Sequence, residues 1–277
     1  MGSLNPMDNA KPGTAERFRP PRARRALRDL AVAAYTRRLQ RRLDPAQAPR
    51  HVGVLIDGNR RWARAFGGES AEGHRAGADR LLQFLGWCDD AGVELVTVYL
   101  LSTDNLNRPA AELEPLIAII EDLAARISET GRWRVHTIGA PDLLPAPTAH
   151  RLKEIEEATR GIEGTAVNLA VGYGGRRELA DAVRSLLNDH ASRGTSIEEL
   201  AEVLDVEHIA EHLYTKGQPD PDLVIRTSGE QRMSGFLLWQ SAHSEFYFCE
   251  ALWPDFRHVD FLRAMRSYAA RERRFGS

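Results

Sequence analysis

Cysteine is scarce in this chain, and its scarcity excludes two kinds of scaffold. Only Cys88 and Cys249 occur, each in an apolar context and at no metal-ligand spacing, which rules out a disulfide framework or a cysteine-built metal site. Both read as buried thiols of a protein in a reducing cytoplasm. Long apolar runs are missing too: no uncharged stretch approaches the roughly 18 residues needed to span a bilayer, and the N-terminus lacks a signal-peptide core. Net charge is small, −2 over 277 residues, which argues against a dedicated nucleic-acid binder. There is no Walker loop and no nucleophile elbow. No Ser/Gly/Pro-rich linker divides the chain after residue 50, and 43% apolar content is ample for a single core.

The charge is unevenly spread. Arg17 to Arg42 holds ten arginines against Asp29 alone. Residues 1–25, rich in Pro, Gly and Arg, read as a disordered tail. From 26 to 50 the chain reads as a basic amphipathic helix and its connection, with Leu27, Leu30, Ala31, Ala34 and Leu39 on one stripe. Such a helix suits an anionic membrane surface at the inner face. Packing on its own domain with solvated arginines is the plainer alternative.

What is present is organised around HVGVLIDGNRRWAR, residues 51–64. Val52, Val54, Leu55 and Ile56 form a run of the length and branching of a buried parallel strand. It stops at Asp57, and Gly58 and Asn59 suit a tight turn before Arg60, Arg61 and Trp62. A carboxylate at a strand's C-terminal end beside a flexible turn and two guanidiniums matches the place where open α/β sheets bind ligands. Asp57 is either an N-cap or, with a divalent cation between it and an anion, part of a Mg²⁺-diphosphate site.

Further strands deliver polar groups in the same way. Leu95 to Leu101 runs into Ser102, Thr103, Asp104, Asn105 and Arg108; Thr165 to Val171 runs into the turn of Gly172, Gly174 and Gly175. Asp222 to Ile225 runs into Arg226, Arg232 and Ser234, whose guanidinium forks suit phosphate oxygens. Helices are expected over Gly73 to Ala91, Pro109 to Ser128, Pro147 to Arg160, Glu178 to Asp189, Ser196 to Leu204, Val206 to Leu213 and Val259 to Arg274. His74 lies in the first turn of one of them. Glu245 is either an exposed strand position or a second carboxylate that helps Asp57 hold a cation.

Seven segments together, IDGNRRWA (56–63), GHRAG (73–77), STDNLNRP (102–109), GYGGRRE (172–178), DLVIRTSGEQRMSGFLLWQ (222–240), LWPDF (252–256) and RERRFG (271–276), resemble the cis-prenyltransferases, the family of undecaprenyl diphosphate synthase and its shorter-chain relatives. The resemblance covers 51–277. It implies a single α/β domain with a mainly parallel central sheet flanked by helices, enclosing a hydrophobic tunnel, and usually a homodimer. The implied reaction is Mg²⁺-dependent condensation of isopentenyl diphosphate with an allylic diphosphate, geranyl or farnesyl, forming a Z double bond. Asp57 is then the essential carboxylate. Gly58, Asn59, Arg60 and Arg61 cradle the allylic diphosphate with Trp62, His74 and Arg108 nearby. Ser102, Thr103, Asp104, Leu106 and Met233 belong to the same substrate site. Arg226, Arg232 and Ser234 hold the second diphosphate, and Glu245 completes the Mg²⁺ site. Asn105 stands at a position often assigned to proton removal, though an amide is a poor base, which favours a positioning role with released diphosphate as base.

The sequence departs from the family's pattern in places. Ser70 stands where members commonly carry arginine, with Arg64 a neighbouring substitute. Leu100, Leu101 and Leu106 replace a small residue, an aromatic and a tryptophan. A bulkier side chain at 100, pointing into the tunnel, leaves less room for the product and predicts a short chain of the Z,E-farnesyl diphosphate type. A medium or long-chain synthase is the alternative. A non-catalytic partner subunit would lack the aspartate and anion turn that this chain keeps.

Overall fold

The computed structural model describes residues 31, 33–41 and 45–271. The expected tail, 1–25, lies outside them. Six strands, β1 (His51–Leu55), β2 (Leu95–Ser102), β3 (Arg134–Ile138), β4 (Ala166–Tyr173), β5 (Leu223–Arg226) and β6 (Glu245–Phe248), form one sheet in the order β3-β4-β2-β1-β5-β6. Every pairing is parallel. Both faces are therefore covered, and the inner strands read as unbroken apolar runs.

On one face Val54, Val98, Leu169 and Ile225 meet α3 (Ser70–Asp90), α4 (Ala110–Glu129) and α9 (His258–Ala269). Phe84 of α3 is fully buried there, edge-on to Trp253, Phe256 and Phe261. On the other face Leu55, Ala170, Ile138 and Val224 pack under Tyr173, Phe236 and Leu237. Gly53 is what lets Phe236 lie so close: a Cβ there would stand 3.2 Å from its ring.

The remaining helices are α2 (Asn59–Ala65), α5 (Ala146–Thr159), α6 (Gly175–Ser192), α7 (Ile197–Val203) and α8 (Val206–Ala210). An N-terminal helix, α1, covers 33–40. Its Leu39 is buried in the main core, and Tyr35 lies under the Arg263 guanidinium of α9, 5.5 Å from the ring centre. This stretch of the basic segment packs on its own domain, leaving Arg37, Arg38 and Arg41 exposed.

Parallel strands put all their C-terminal ends on one rim. Asp57, Ser102, Gly174 and Arg226 stand at that rim by topology alone.

Candidate active site

Two strand ends are locked together by one buried guanidinium. Arg226 closes β5 and is only 3% exposed; its Nη2 and Nε donate to Asp57 Oδ2 at 2.6 and 3.0 Å. Its Nη1 donates to Ser234 Oγ at 3.1 Å and to the Arg232 carbonyl. A buried charge needs such partners, so Arg226 ties Asp57 to the 232–234 turn. The Asp57 carbonyl accepts from Trp253 N–H and Thr227 Oγ1. The first helical residue's cap is Gly58, without a side-chain bond; Asp57 is no N-cap, and its carboxylate faces the cavity described below.

The segment that follows Arg226 is strained. Ser228, Ser234 and Leu237 all adopt positive φ, at 78°, 50° and 45°, a cost that persists only where surroundings impose it. Ser228 is held by its N–H donating to the Ala251 carbonyl at 2.7 Å, and the 234–237 turn by Gly175 N–H donating to the Gly235 carbonyl at 2.9 Å and by buried Phe236.

The Asp57 turn is shaped by glycines on two elements. Gly58 has φ 110°, and a Cβ there would lie 2.9 Å from Leu252. Gly73 and Gly77 of α3 are the contact surface for Asn59: a Cβ on either would come 2.1 Å from its carbonyl oxygen or 2.4 Å from its Oδ1. The four-residue spacing in GHRAG thus clears one helix face against α2. Asn59 is held by its own Nδ2 bond to the Ile56 carbonyl, while its Oδ1 is buried with no partner among the described residues.

More unspent polar atoms surround it. His74 Nε2 and Trp62 Nε1 are buried with no hydrogen-bond partner among the described residues, the kind of orphan that calls for a ligand. Burial, followed by the Arg108 and Arg60 charges, pulls the His74 pKa down to about 4, so its ring is neutral at pH 7. Arg60 and Arg108 both approach Glu112, and Arg61 donates to the Ser228 carbonyl and faces Glu230 at 3.7 Å.

Most of these groups, though neither Trp62 nor Glu112, line one cavity of about 570 Å³, the size of a small-ligand site. Six arginines line it (60, 61, 64, 108, 226 and 232) against Asp57, Asp104 and Glu230, with Gly58, Asn59, His74, Ser102, Asn105 and Ser234 among them. The positive excess favours a polyanion. The other wall is apolar, made of Leu100 and Leu101 of β2 with Leu116, Ile119, Ile120 and Leu123 of α4. A charged mouth and a greasy floor in one cavity suit an amphiphile with an anionic head.

Not every expected residue reaches this cavity. Trp62 turns to Phe66, with ring centres 4.9 Å apart. Thr103 binds the end of β4 through its N–H, Leu106 packs on the main core and Met233 on the second core. Glu245 does not line this cavity within one chain. It opens β6 opposite Leu223, three residues before Arg226 on β5, which puts it about 10 Å down the strands from the Asp57 rim. Its carboxylate pairs with Arg271. The reason is polarity: in an all-parallel sheet the first residue of a strand lies away from the rim where strands end.

Glu230 and Glu112 were missed as site residues. Glu230 had a signal, sitting between Arg226 and Arg232 in RTSGEQR; Glu112 had none beyond following Arg108 by four positions.

The carboxylates present fit a Mg²⁺ ion bound with its substrates. That ion takes one or two carboxylates plus substrate phosphates and keeps waters, and Asp57 offers a 44% exposed side chain whose Oδ2 alone is engaged by Arg226. Among the described residues no group of three His, Cys, Asp or Glu forms a ready-made cage.

The chain is 65% identical over 243 residues to (2Z,6E)-farnesyl diphosphate synthase of Thermobifida fusca, covering 87% of this chain and 95% of the relative. It is 53% identical over 261 residues to short-chain Z-isoprenyl diphosphate synthase of Mycobacterium bovis, covering 93% and 98%. The crystal structure of lavandulyl diphosphate synthase from Lavandula x intermedia, in complex with dimethylallyl diphosphate, superposes with a TM-score of 0.78 at 33% identity over 84% of this chain and all of that one. The family model "Putative undecaprenyl diphosphate synthase" matches residues 55–276, and the chain belongs to that family of prenyltransferases.

Proposed function

We propose that this protein condenses isopentenyl diphosphate with a short allylic diphosphate, geranyl diphosphate first, to give a short Z-prenyl diphosphate of the (2Z,6E)-farnesyl type. The observation that carries the reading is the single cavity in which arginines at the mouth meet a Leu100/α4 floor. The names of the relatives at 65% and 53% identity point to the same product class.

In this scheme Arg60, Arg61, Arg108 and His74 grip the allylic diphosphate, and the Asn59 Oδ1 that lines the same cavity orients its surroundings. Negative charge develops on the leaving diphosphate, where preset guanidiniums stabilise it without reorganising. Asp57 would hold a Mg²⁺ ion, which would supply further charge neutralisation there. Arg232 and Ser234 receive the second diphosphate, while Arg226 keeps Asp57 and the 232–234 turn in register. Asn105 lines the cavity, its N–H held by Ser102 Oγ, and orients the C5 unit for proton loss to a diphosphate oxygen. Leu100 and Ile120 limit chain growth.

The test is Mg²⁺-dependent incorporation of labelled isopentenyl diphosphate with geranyl and farnesyl primers, followed by chromatography of the products. A C15 product supports the reading; mainly C50 or longer chains overturn it.

Homodimer formation belongs to the same proposal. Val183 and Leu187, four residues apart on α6, are 43% exposed and Ile197 on α7 is 74% exposed, an apolar surface of the kind that a second copy covers. The described residues contain no helix long and apolar enough to cross a membrane. The enzyme is proposed to work in the cytoplasm, with the exposed arginines of α1 offering peripheral contact to anionic lipid.

A further inference from the structure

Behind the arginines at the cavity mouth stands a carboxylate that is not among the lining residues. Glu112 occupies the first turn of α4. Its Oε1 lies 3.1 Å from Arg60 Nη1 and 3.0 Å from Arg108 Nη1. One oxygen therefore serves two guanidiniums brought by separate elements, α2 and the turn after β2. Both arginines line the cavity.

Two cations this close repel each other unless an anion sits between them. Water screens them only in part, since the Arg108 and Glu112 side chains are 17% and 26% exposed and the Arg60 side chain 43%. The Arg108 Nη1 approach is not aligned as a hydrogen bond, so that group remains available as a donor to an incoming oxygen. His74 Nε2, with no hydrogen-bond partner among the described residues, feels the charges of the same Arg108, Arg60 and Glu112.

We propose that Glu112 is a positioning residue for diphosphate capture: it holds Arg60 and Arg108 side by side at the mouth of the cavity, so that both reach the same diphosphate. This deepens the prenyl-transfer reading and rests on it for the identity of the substrate.

A split of kinetic constants tests it. Glu112→Ala is expected to raise KM for the allylic diphosphate about tenfold, with kcat and the KM for isopentenyl diphosphate within about twofold of wild type. Glu112→Gln fills the same volume with a neutral oxygen, and is expected to raise that KM about threefold. An unchanged KM in the glutamine variant overturns the proposal even if the alanine variant does not fold. A lowered KM in either variant also overturns it, because Glu112 would then be competing with substrate. Calorimetric titration of the full chain with inorganic diphosphate requires no turnover: weaker binding by Glu112→Gln than by wild type supports the role, and equal binding sinks it. Should wild type bind inorganic diphosphate but incorporate no isopentenyl units, the prenyl-transfer reading falls while the assignment of Glu112 is still decided by that titration.

Discussion

Asp57 has two attachments that a single substitution separates. Its carboxylate faces the cavity, where the proposed chemistry needs it, and it also neutralises Arg226, whose side chain is 4% exposed. Asp57→Ala should therefore lose activity and stability together: turnover falls by at least about a hundredfold, and unfolding costs about 1–3 kcal/mol less, because a buried guanidinium loses its anion while the exposed half of Asp57 discounts the pair. Asp57→Asn keeps an acceptor for Arg226 and should recover most of the stability but not the activity. Isopentenyl incorporation and urea midpoints on both variants separate the two attachments. Equal midpoints for Ala and Asn would mean that Arg226 is held by Ser234 and the Arg232 carbonyl alone.

At the scale of elements, the cavity is the gap left between β2 and α4 once α3 has closed on α2. Leu100 sits where β2 shifts register against β4, after Tyr99, and it lines the floor beside Ile119, Ile120 and Leu123. Leu100→Ala removes three carbons from that floor and should lengthen the products by one or more C5 units, read by chromatography; an unchanged distribution would move the limit to α4. Gly77→Ala should be worse than its size suggests. Its methyl would meet Asn59 Oδ1 at 2.4 Å, pushing α3 from α2 at the turn that carries Asp57, with a loss of about 1–3 kcal/mol and of activity alongside. A Tm equal to wild type would show that Asn59 yields freely.

Much of this layer was legible in the chain. Apolar runs ending in Asp57, Ser102 and Arg226 announced parallel strands because such strands are buried on both faces. The helix expected from Gly73 starts at Ser70, since Glu69 and Glu72 form a capping box one turn ahead of Gly73. Likewise α6 begins at Gly175, not Glu178. The shared oxygen of Glu112 was invisible because pairing between α2 and α4 has no sequence period.

For the molecule as a whole, parallel topology separates a catalytic rim from a structural base, and the base carries a pH dependence of its own. His51 opens β1 at 1% exposure. It contacts the Pro219 carbonyl through Nδ1 and Thr97 Oγ1 through Nε2, and Asn168 and Gln218 continue the network across the sheet. Burial lowers its pKa to about 4. The unfolded chain takes up a proton near the ordinary 6.5 while the folded chain does not, so stability is full above that value and falls as pH drops from 6.5 toward 4. At pH 5 the loss from this one group is on the order of 2 kcal/mol relative to pH 7.5. His51→Gln offers an amide donor and acceptor in place of the ring and cannot titrate. The variant should start less stable at pH 7.5 through imperfect geometry, yet lose about 2 kcal/mol less between pH 7.5 and 5 in urea unfolding. The same pH-dependent decline in both proteins would place the acid sensitivity elsewhere, with His74 as the next buried ring whose pKa burial holds near 4.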